Sequence, residues 1–513
     1  MTPDRRKTTA GADQTCAACG ATSLEPAVKA RYIGNAGGEF DMTFAQARTQ
    51  LYVPPAPPPR IVPPNAKPSL QGYLRYFQIM SRNPLEIWTE NHFNDLIHKD
   101  RVLGRQYVMA HDPNAIRRYL VTNADNYGLT ELRRALFEPV IGNGLLIAEG
   151  DLWKRTRRAL TPVFTPRHVR SFAPSMVKVA TAGAEQLIAA SDSVVSFTQE
   201  MLSLALKILT ACLFSDDARL DVDRFSKNLD RLLHIAGMPH PLDLASAPKW
   251  VPRLGRGEAL RVVADLRGQV ETVAKERRRL IADGADPPAD FLTLLLSAGQ
   301  DEGAPLSERE VTDNLITFLS AGHETTARTL TWIFYLLSNA QETLARAQAE
   351  IGAAPLEDTD PADWSECLPF TTALIKESMR LYPAASIFTR LARADDTLAD
   401  IPIAAGTEII TSPWVLHRHR KLWEQPDAFV PDRFLGDAAE TIQRFSYIPF
   451  GMGPRVCIGA SFSMQEMVII VAVFLRRLKF EHVGRTPPMP VMRITIQPST
   501  PVYMRVKERD DSH

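Results

Sequence analysis

The densest chemistry in this chain lies in the run Phe450-Gly-Met-Gly-Pro-Arg-Val-Cys457-Ile-Gly459. Glycines at 451, 453 and 459 expose backbone, Pro454 tightens it, and Arg455 sets a cation two residues before the sulfur. A helical apolar pattern follows through Phe462, Met464, Met467, Val468, Ile469, Val471, Ala472 and Leu475. A helix start gathers unpaired N–H groups and the positive end of the helix dipole. A thiol placed there is expected to titrate low and to present thiolate. Thiolate is a nucleophile or a soft metal ligand, and the loop by itself leaves both open.

Three other groups have residue types and spacings that chemistry can use. Ala321-Gly322-His323-Glu324-Thr325-Thr326 interrupts a long apolar helical pattern running from Leu315 to Phe334. Glycine costs about 1 kcal/mol inside a helix, and a buried glutamate costs more unless paired. A kink or widened turn beside Gly322 would free backbone groups for a ligand. Glu324 and Thr325 then form a proton-delivery pair; the bland alternative is a polar face turned to solvent, with Thr325 bonded to the preceding turn. Glu377 and Arg380, three apart on one helix face, can pair. Leu374, Ile375, Met379 and Leu381 make that segment apolar, so the pair would need a further partner, for which Arg433 is the candidate. Trp153 and Arg157, four apart, offer donors that suit a carboxylate, or form the polar side of an amphipathic helix.

The elements that must position these groups are mostly helices. Helical patterns cover about 151–160, 167–191, 196–213, 221–236, 256–283 and 307–338, with others from Asn83-Pro84 to about Phe93 and from near Pro369. Tyr107–Ala110, Ile387–Leu391, Thr407–Thr411, Val491–Ile496 and Val502–Val506 read as short strands. Residues 127–149 read as irregular, and 237–254 as a long loop of the kind that serves as a lid. The fold class is mainly α with small β-sheets at the edges (α+β). Residues 1–50 read as a poorly ordered tail, in which Cys16 and Cys19 form an incidental pair. Residues 51–69 read as a proline-rich lead-in, and 70–513 as one catalytic domain.

Composition narrows the class. The 513 residues are 45% apolar and 23% charged, ordinary for a globular protein. A balance of 59 Lys+Arg against 59 Asp+Glu excludes nucleic-acid binding through bulk charge. Five cysteines make no disulfide framework, which favours a reducing compartment. There is no apolar leader in the first thirty residues and no uninterrupted apolar run of about 18 residues. A cytoplasmic monomer without a membrane anchor is expected. Nucleotide-binding glycine motifs, G-x-S-x-G and H-E-x-x-H are absent, so no fused flavin or nicotinamide domain is expected.

Taken in chain order, Trp-x-x-x-Arg, Ala-Gly-x-Glu-Thr-Thr, Glu-x-x-Arg and Phe-x-x-Gly-x-Arg-x-Cys-x-Gly resemble the cytochrome P450 family of haem-thiolate monooxygenases over about residues 70–510. Phe450, Gly453, Arg455, Cys457 and Gly459 match every defined position of the cysteine motif. The resemblance implies the P450 fold, with haem b (iron protoporphyrin IX) between the long central helix and the helix after the cysteine loop. It makes Cys457 the axial iron ligand, with Phe450 shielding the sulfur and Trp153, Arg157, Arg390 and Arg455 binding the propionates. It makes Thr325 a hydrogen-bond donor to dioxygen and Glu324 a proton relay, with Ala321 keeping the helix clear and His323 a bystander. Glu377, Arg380 and Arg433 become a brace for the cysteine loop. Cys212 and Cys367 sit among apolar residues and read as inert. The implied reaction inserts one atom of O2 into a hydrophobic small molecule. Substrate contacts are expected from 127–149, 237–254, the helix around Phe318, Ala385–Phe388 and Pro498–Thr500. Electrons are expected from a separate ferredoxin or flavodoxin with its reductase, docking on Arg155, Arg158, Arg476, Arg477 and Lys479. A peroxide-using or non-monooxygenase member of the fold, and a non-catalytic haem sensor, are the alternatives.

Overall fold

The computed structural model describes residues 51–61, 70–102, 105–190, 192–236, 256–298 and 305–509. The expected tail with Cys16 and Cys19, the lead-in after Ile61 and the lid at 237–254 lie outside the described residues. Helices form where apolar side chains recur at helical spacing, and they start where a side chain takes up free N–H groups. Those that build the interior are α1 (Glu131–Ile141), α2 (Gly150–Leu160), α3 (Phe197–Phe214), α4 (Val222–Ala236), α5 (Arg256–Ala282), α6 (Glu308–Asn339), α7 (Pro369–Leu381) and α8 (Ala460–Arg477). The axis of the molecule is α6, 32 residues long. Its start is a capping box: Ser307 takes the Glu310 N–H while the Glu310 carboxylate takes the Ser307 N–H. Below that cap the helix is buried almost throughout, because α3 above all, with α5, α7 and α8, covers it. One helix among the described residues, α3, is apolar and long enough to cross a membrane, and 72% of it is buried inside the fold.

The strands flank this helical body. A five-stranded sheet has the order β1 (Ile97–Val102), β2 (Arg105–Ala110), β5 (Glu408–Thr411), β4 (Phe388–Ala392), β3 (Tyr127–Gly128). The β2–β5 pairing is parallel, with Tyr107 opposite Glu408, and the rest is antiparallel. A three-stranded sheet joins Val194–Ser196, Tyr503–Glu508 and Leu478–His482.

Four expectations change. Residues 127–149 hold the helix α1, whose Thr130 accepts from Arg133 N; it contains Pro139 and stops at Gly142, φ 58°. The expected helix from Asn83 is a 3-10 turn, Pro84–Ile87, and a separate turn of helix, Glu90–Asn94, restarted by a Thr89–His92 capping box. Val491–Ile496 is not one strand; Pro490–Met492 and Ile496–Pro498 pair as a hairpin. The central helix does not break at Gly322. A Cβ there would stand 3.1 Å from Leu209, so the glycine lets α3 approach closely.

Candidate functional site

The cysteine loop folds as its glycines require. Gly453 has φ +73°, and a Cβ on it would lie 1.9 Å from the carbonyl oxygen of Leu120, so no other residue fits. A 3-10 turn, Gly453–Arg455, then leads to the cysteine, whose N–H donates to Phe450 O at 2.9 Å. Helix α8 opens three residues later. The thiol of Cys457 is accessible, yet it is so enclosed that burial raises its pKa above the ordinary thiol value. The Gly459 N–H and the charge of Arg157 pull the other way without winning. The expected low-titrating thiolate is therefore corrected: desolvation outweighs the helix start.

Accessible atoms also appear on α6. Ala321 is exposed and Thr325 half-buried, while Leu319, His323, Glu324, Thr326 and Ala327 around them are buried. Ala321 is thus the accessible position in the middle of a covered helix. Thr326, the next residue, meets Ser463 of α8 at 3.2 Å, which sets this stretch against the helix that follows Cys457. Thr325 donates to Ala321 O at 2.6 Å, the local bond foreseen for a bystander threonine. Glu324 faces another way. It is buried toward Arg328, 3.6 Å off, and Thr495 of the hairpin, and burial raises its pKa. His323 ties α6 to α3 through Leu202 O at 3.0 Å, and burial lowers its pKa to about 4, so it is neutral.

Near the loop, guanidinium groups gather without counter-charges. Arg455 donates to Ala148 O at 2.8 Å and lies 4.6 Å from the centre of the Trp153 ring, a cation–π contact. Arg157 donates to Val456 O at 3.1 Å. Arg390 is buried and bonds Thr389 O. A fourth, Arg133 on α1, was not singled out from sequence. Its Nε is buried with no partner, and enclosure with the charges of Arg390 and Arg455 lowers its pKa to about 9. Arg455 is held down to about 10 by burial and its cationic neighbours. Among the described residues, none of these four arginines has an ion-pair partner. The nearby carboxylate of Glu149 is taken by Leu129 N, Arg134 and Arg393. Arg133 lay in a stretch read as irregular, and its only sequence signal was the Arg133-Arg134 pair opening a region of scattered glycines.

Glu377, Arg380 and Arg433 do come together as an ion-paired triad. Glu377 and Arg380 are both fully buried and doubly bonded, at 2.7 and 2.9 Å, with Arg433 3.4 Å from Glu377. Arg380 also donates to His417 O, Pro426 O and Ala428 O, so all five of its N–H groups are used. Phe450 packs at the edge of the main core.

Phe318 is partly buried and packs edge-on against Phe164 and Phe291, ring centres 5.3 and 5.0 Å away. Arg155, Arg476 and Arg477 are engaged by Glu310, Glu357 and Glu185. Three of the five cations expected to form the docking face are thus ion-paired. Cys212 is buried as expected, and Cys367 is half-buried. The metal-ligand cluster among the described residues, His92, His98 and Asp100, lies on the Glu90–Asn94 turn and β1. There Thr89 N–H donates to His92 Nδ1 at 3.0 Å, which leaves the proton on Nε2, facing Asp100. That tautomer suits a carboxylate shared between two imidazoles.

The fit to a haem rests on the donor set. Two propionate carboxylates would answer the unpaired arginines, the one accessible thiol in a glycine-built loop would face iron, and Ala321 and Thr325 leave space on α6. The comparisons with known proteins agree. The family model for cytochrome P450 matches residues 83–505. Cyclooctat-9-en-7-ol 5-monooxygenase of Streptomyces melanosporofaciens is 30% identical over 448 residues, 84% of this chain and 92% of its own length. Carotene epsilon-monooxygenase, chloroplastic, of Arabidopsis thaliana is 31% identical over 441 residues, 79% of this chain and 78% of its own. The crystal structure of the cytochrome P450DA heme domain aligns with TM-score 0.71 at 24% identity, covering 90% of this chain and 98% of that one, a likeness of fold. The chain belongs to the cytochrome P450 family and is a monooxygenase of the oxidoreductase class.

Proposed function

We propose that this monooxygenase carries haem b and inserts one oxygen atom into an apolar small molecule, with electrons from a separate ferredoxin or flavodoxin and its reductase. The observation that carries the reading is the set of partly or fully buried arginines without ion-pair partners beside an accessible cysteine. When bound, the haem supplies activation of dioxygen, one atom entering substrate and the other leaving as water. Cys457 is proposed as the residue that would hold its iron, with the Gly459 N–H supporting the sulfur. Arg133, Arg157, Arg390, Arg455 and Trp153 are proposed to hold the propionates, Phe450 to keep water from the sulfur, and Ala321 to leave room above the ring. The Thr325 hydroxyl turns from Ala321 O to present a proton at the cavity. Glu324, kept protonated more readily by burial, passes protons inward past Arg328 and Asp230. Glu377, Arg380 and Arg433 hold the loop from beneath.

An apolar substrate is supported by relatives named for acting on a carotene and on cyclooctat-9-en-7-ol. For the redox partner, a surface recess of about 590 Å³ offers a better seat than the face first expected. It is lined by Arg117, Val121, Thr122, Arg444 and Phe445, close to where Gly453 meets Leu120. Arg117 and Arg444 suit an acidic partner. We infer a cytoplasmic monomer; among the described residues the one helix apolar enough to cross a membrane is buried inside the fold.

The test is spectroscopic and kinetic. Cys457→Ser is expected to abolish the thiolate-type absorption of the reduced carbon monoxide complex, and survival of that band would sink the ligand assignment. Thr325→Ala should keep electron uptake but divert about 90% of it to peroxide, roughly a tenfold loss of coupling, of the size expected for one positioned proton donor. Unchanged coupling would remove Thr325 from the reaction.

A further inference from the structure

Between Leu315 and Leu337, α6 is buried except at Phe318, Ser320, Ala321, Gly322, Thr325 and Arg328. Phe318, Ala321, Thr325 and Arg328 stand three or four residues apart and so share one face of the helix. Arg328 therefore sits at the far end of the face that Ala321 leaves open, about one turn beyond Thr325.

One edge of that face is polar. Ser320, Glu324 and Arg328 follow one another at four-residue intervals, and each carries an enclosed polar atom that bonds nothing: Ser320 Oγ, Glu324 Oε2 and Arg328 Nε. Arg328 Nε lies 3.6 Å from Glu324 Oε1, beyond hydrogen-bond reach. Two other elements bring polar groups to this row. The turn of the Pro490–Pro498 hairpin sets Thr495, 2% exposed, beside Glu324, and its hydroxyl also bonds nothing. Helix α4 sets the half-buried Asp230 toward Arg328, whose charge favours the ionised form of that carboxyl. Enclosed polar atoms are normally paired. Four unpaired ones, gathered at the end of a partly open face, mark a seat for a polar group that arrives from outside.

The charges decide which group. One guanidinium faces two carboxyls, and enclosure raises the pKa of both Glu324 and Asp230. With one acid ionised against Arg328 and the other protonated, the set is neutral. An incoming carboxylate or ammonium would bury an unbalanced charge there. A hydroxyl brings none. It accepts from Arg328 Nε–H and donates to a carboxyl oxygen, meeting one unfilled donor and one unfilled acceptor together.

We propose that Arg328, Asp230 and Thr495 recognise a hydroxyl group on an otherwise apolar substrate, so that this chain acts on an alcohol in preference to a plain hydrocarbon or a carboxylic acid. Glu324 balances Arg328, and Ala321 leaves room for the hydrocarbon part. The use of the seat rests on the monooxygenase reading, but its preference for a head group needs neither oxygen nor electrons.

The test is equilibrium binding to the full-length, haem-loaded protein without reductant, by titration calorimetry with n-decanol, decyl methyl ether and decanoate. The ether keeps the acceptor and loses the donor, and all three share the burial of the chain. The parent should bind decanol roughly fivefold to tenfold more tightly than the ether, the worth of one buried hydrogen bond, and decanoate more weakly than either. Asp230→Ala should bring decanol and ether to within about twofold of each other. Thr495→Val should narrow the gap in the same direction, and it serves if Asp230→Ala does not fold. Arg328→Leu should weaken alcohol and ether alike, because both accept from its N–H. Equal affinity for decanol and ether in the parent would leave the seat to water and overturn the proposal. So would a preference that survives in both Asp230→Ala and Thr495→Val, or tightest binding by decanoate. A preference that behaves as expected in a protein that oxygenates nothing would sink the monooxygenase reading and leave the seat standing.

Discussion

Arg380 and Arg133 are both enclosed guanidinium groups in one fold, and their surroundings differ in every respect. Arg380 meets a carboxylate and three carbonyls, and no donor is left over. Arg133 meets other cations, and its Nε bonds nothing. A fully paired buried charge is a fixed part of the frame, since moving it would strand five donors at once. A set of unpaired like charges is held in place by the frame against its own repulsion. The first kind of cluster stabilises the chain alone, and the second becomes favourable when an anion arrives. The contrast separates the residues that build the site from those that receive its occupant.

The comparison can be broken by substitutions whose effects should have opposite signs. Arg380→Ala leaves Glu377 buried with Arg433 and Val430 N as its remaining partners, and should cost about 3–5 kcal/mol in urea unfolding. A loss under about 1 kcal/mol would mean the pair adds nothing to the frame. Arg133→Gln should instead stabilise the haem-free protein by about 1 kcal/mol, because it removes repulsion and an unsatisfied charge. The same change should weaken haem retention about tenfold, read by transfer to a competing haem acceptor. If the haem-free form loses stability, the cations are not a receiving set.

Between full pairing and none stands Asp100, shared by His92 and His98 at 3.4 and 3.3 Å. Its carboxyl is held below the usual range by those imidazoles, and the His98 pKa is raised by Asp100. A raised histidine pKa contributes stability that is complete below its unfolded value of about 6.5 and is lost as pH climbs through the folded value. The depressed Asp100 contributes above its unfolded value of about 3.9 and loses that as pH falls through the folded one. The shared carboxylate should therefore hold best near pH 5 and loosen toward pH 8. Both groups are partly solvated, so His98→Gln should remove less than about 1 kcal/mol at pH 5.5 and almost nothing at pH 8. A loss that grows with pH would reverse the assignment.

The readable parts of this molecule were those whose meaning is local. The cysteine loop needs particular glycines, and Gly453 does stand where a Cβ would collide with Leu120 O. Glu377 and Arg380 sit one turn apart, so their pairing was visible in the spacing. Arg133 was not, because α1 begins at an ordinary Thr130, carries Pro139 and ends at glycine, and its pattern reads as loop. Gly322 was misread as a kink because its reason, Leu209, lies on another helix. The partner of Arg155 was hidden for the same reason: Arg155 and Glu310 are far apart in sequence and meet only in the fold. Residues 341–353 form a further helix that the apolar pattern did not announce.

The segment from Gly142 to Ala148 works as a linkage between two distant parts of this frame. Asn143 N is pinned to Asp313 and Leu145 N to Asn314, both on the first turns of α6. Gly142 and Gly144 press so closely on Asp313 and Thr317 that there is no slack to absorb a shift. Asp313 is gripped in turn by Arg267 of α5 at 2.6 Å. At its other end the segment offers Ala148 O to Arg455. Arg267 of α5 and the arginine beside the cysteine loop are thus joined through one carboxylate and six residues of chain.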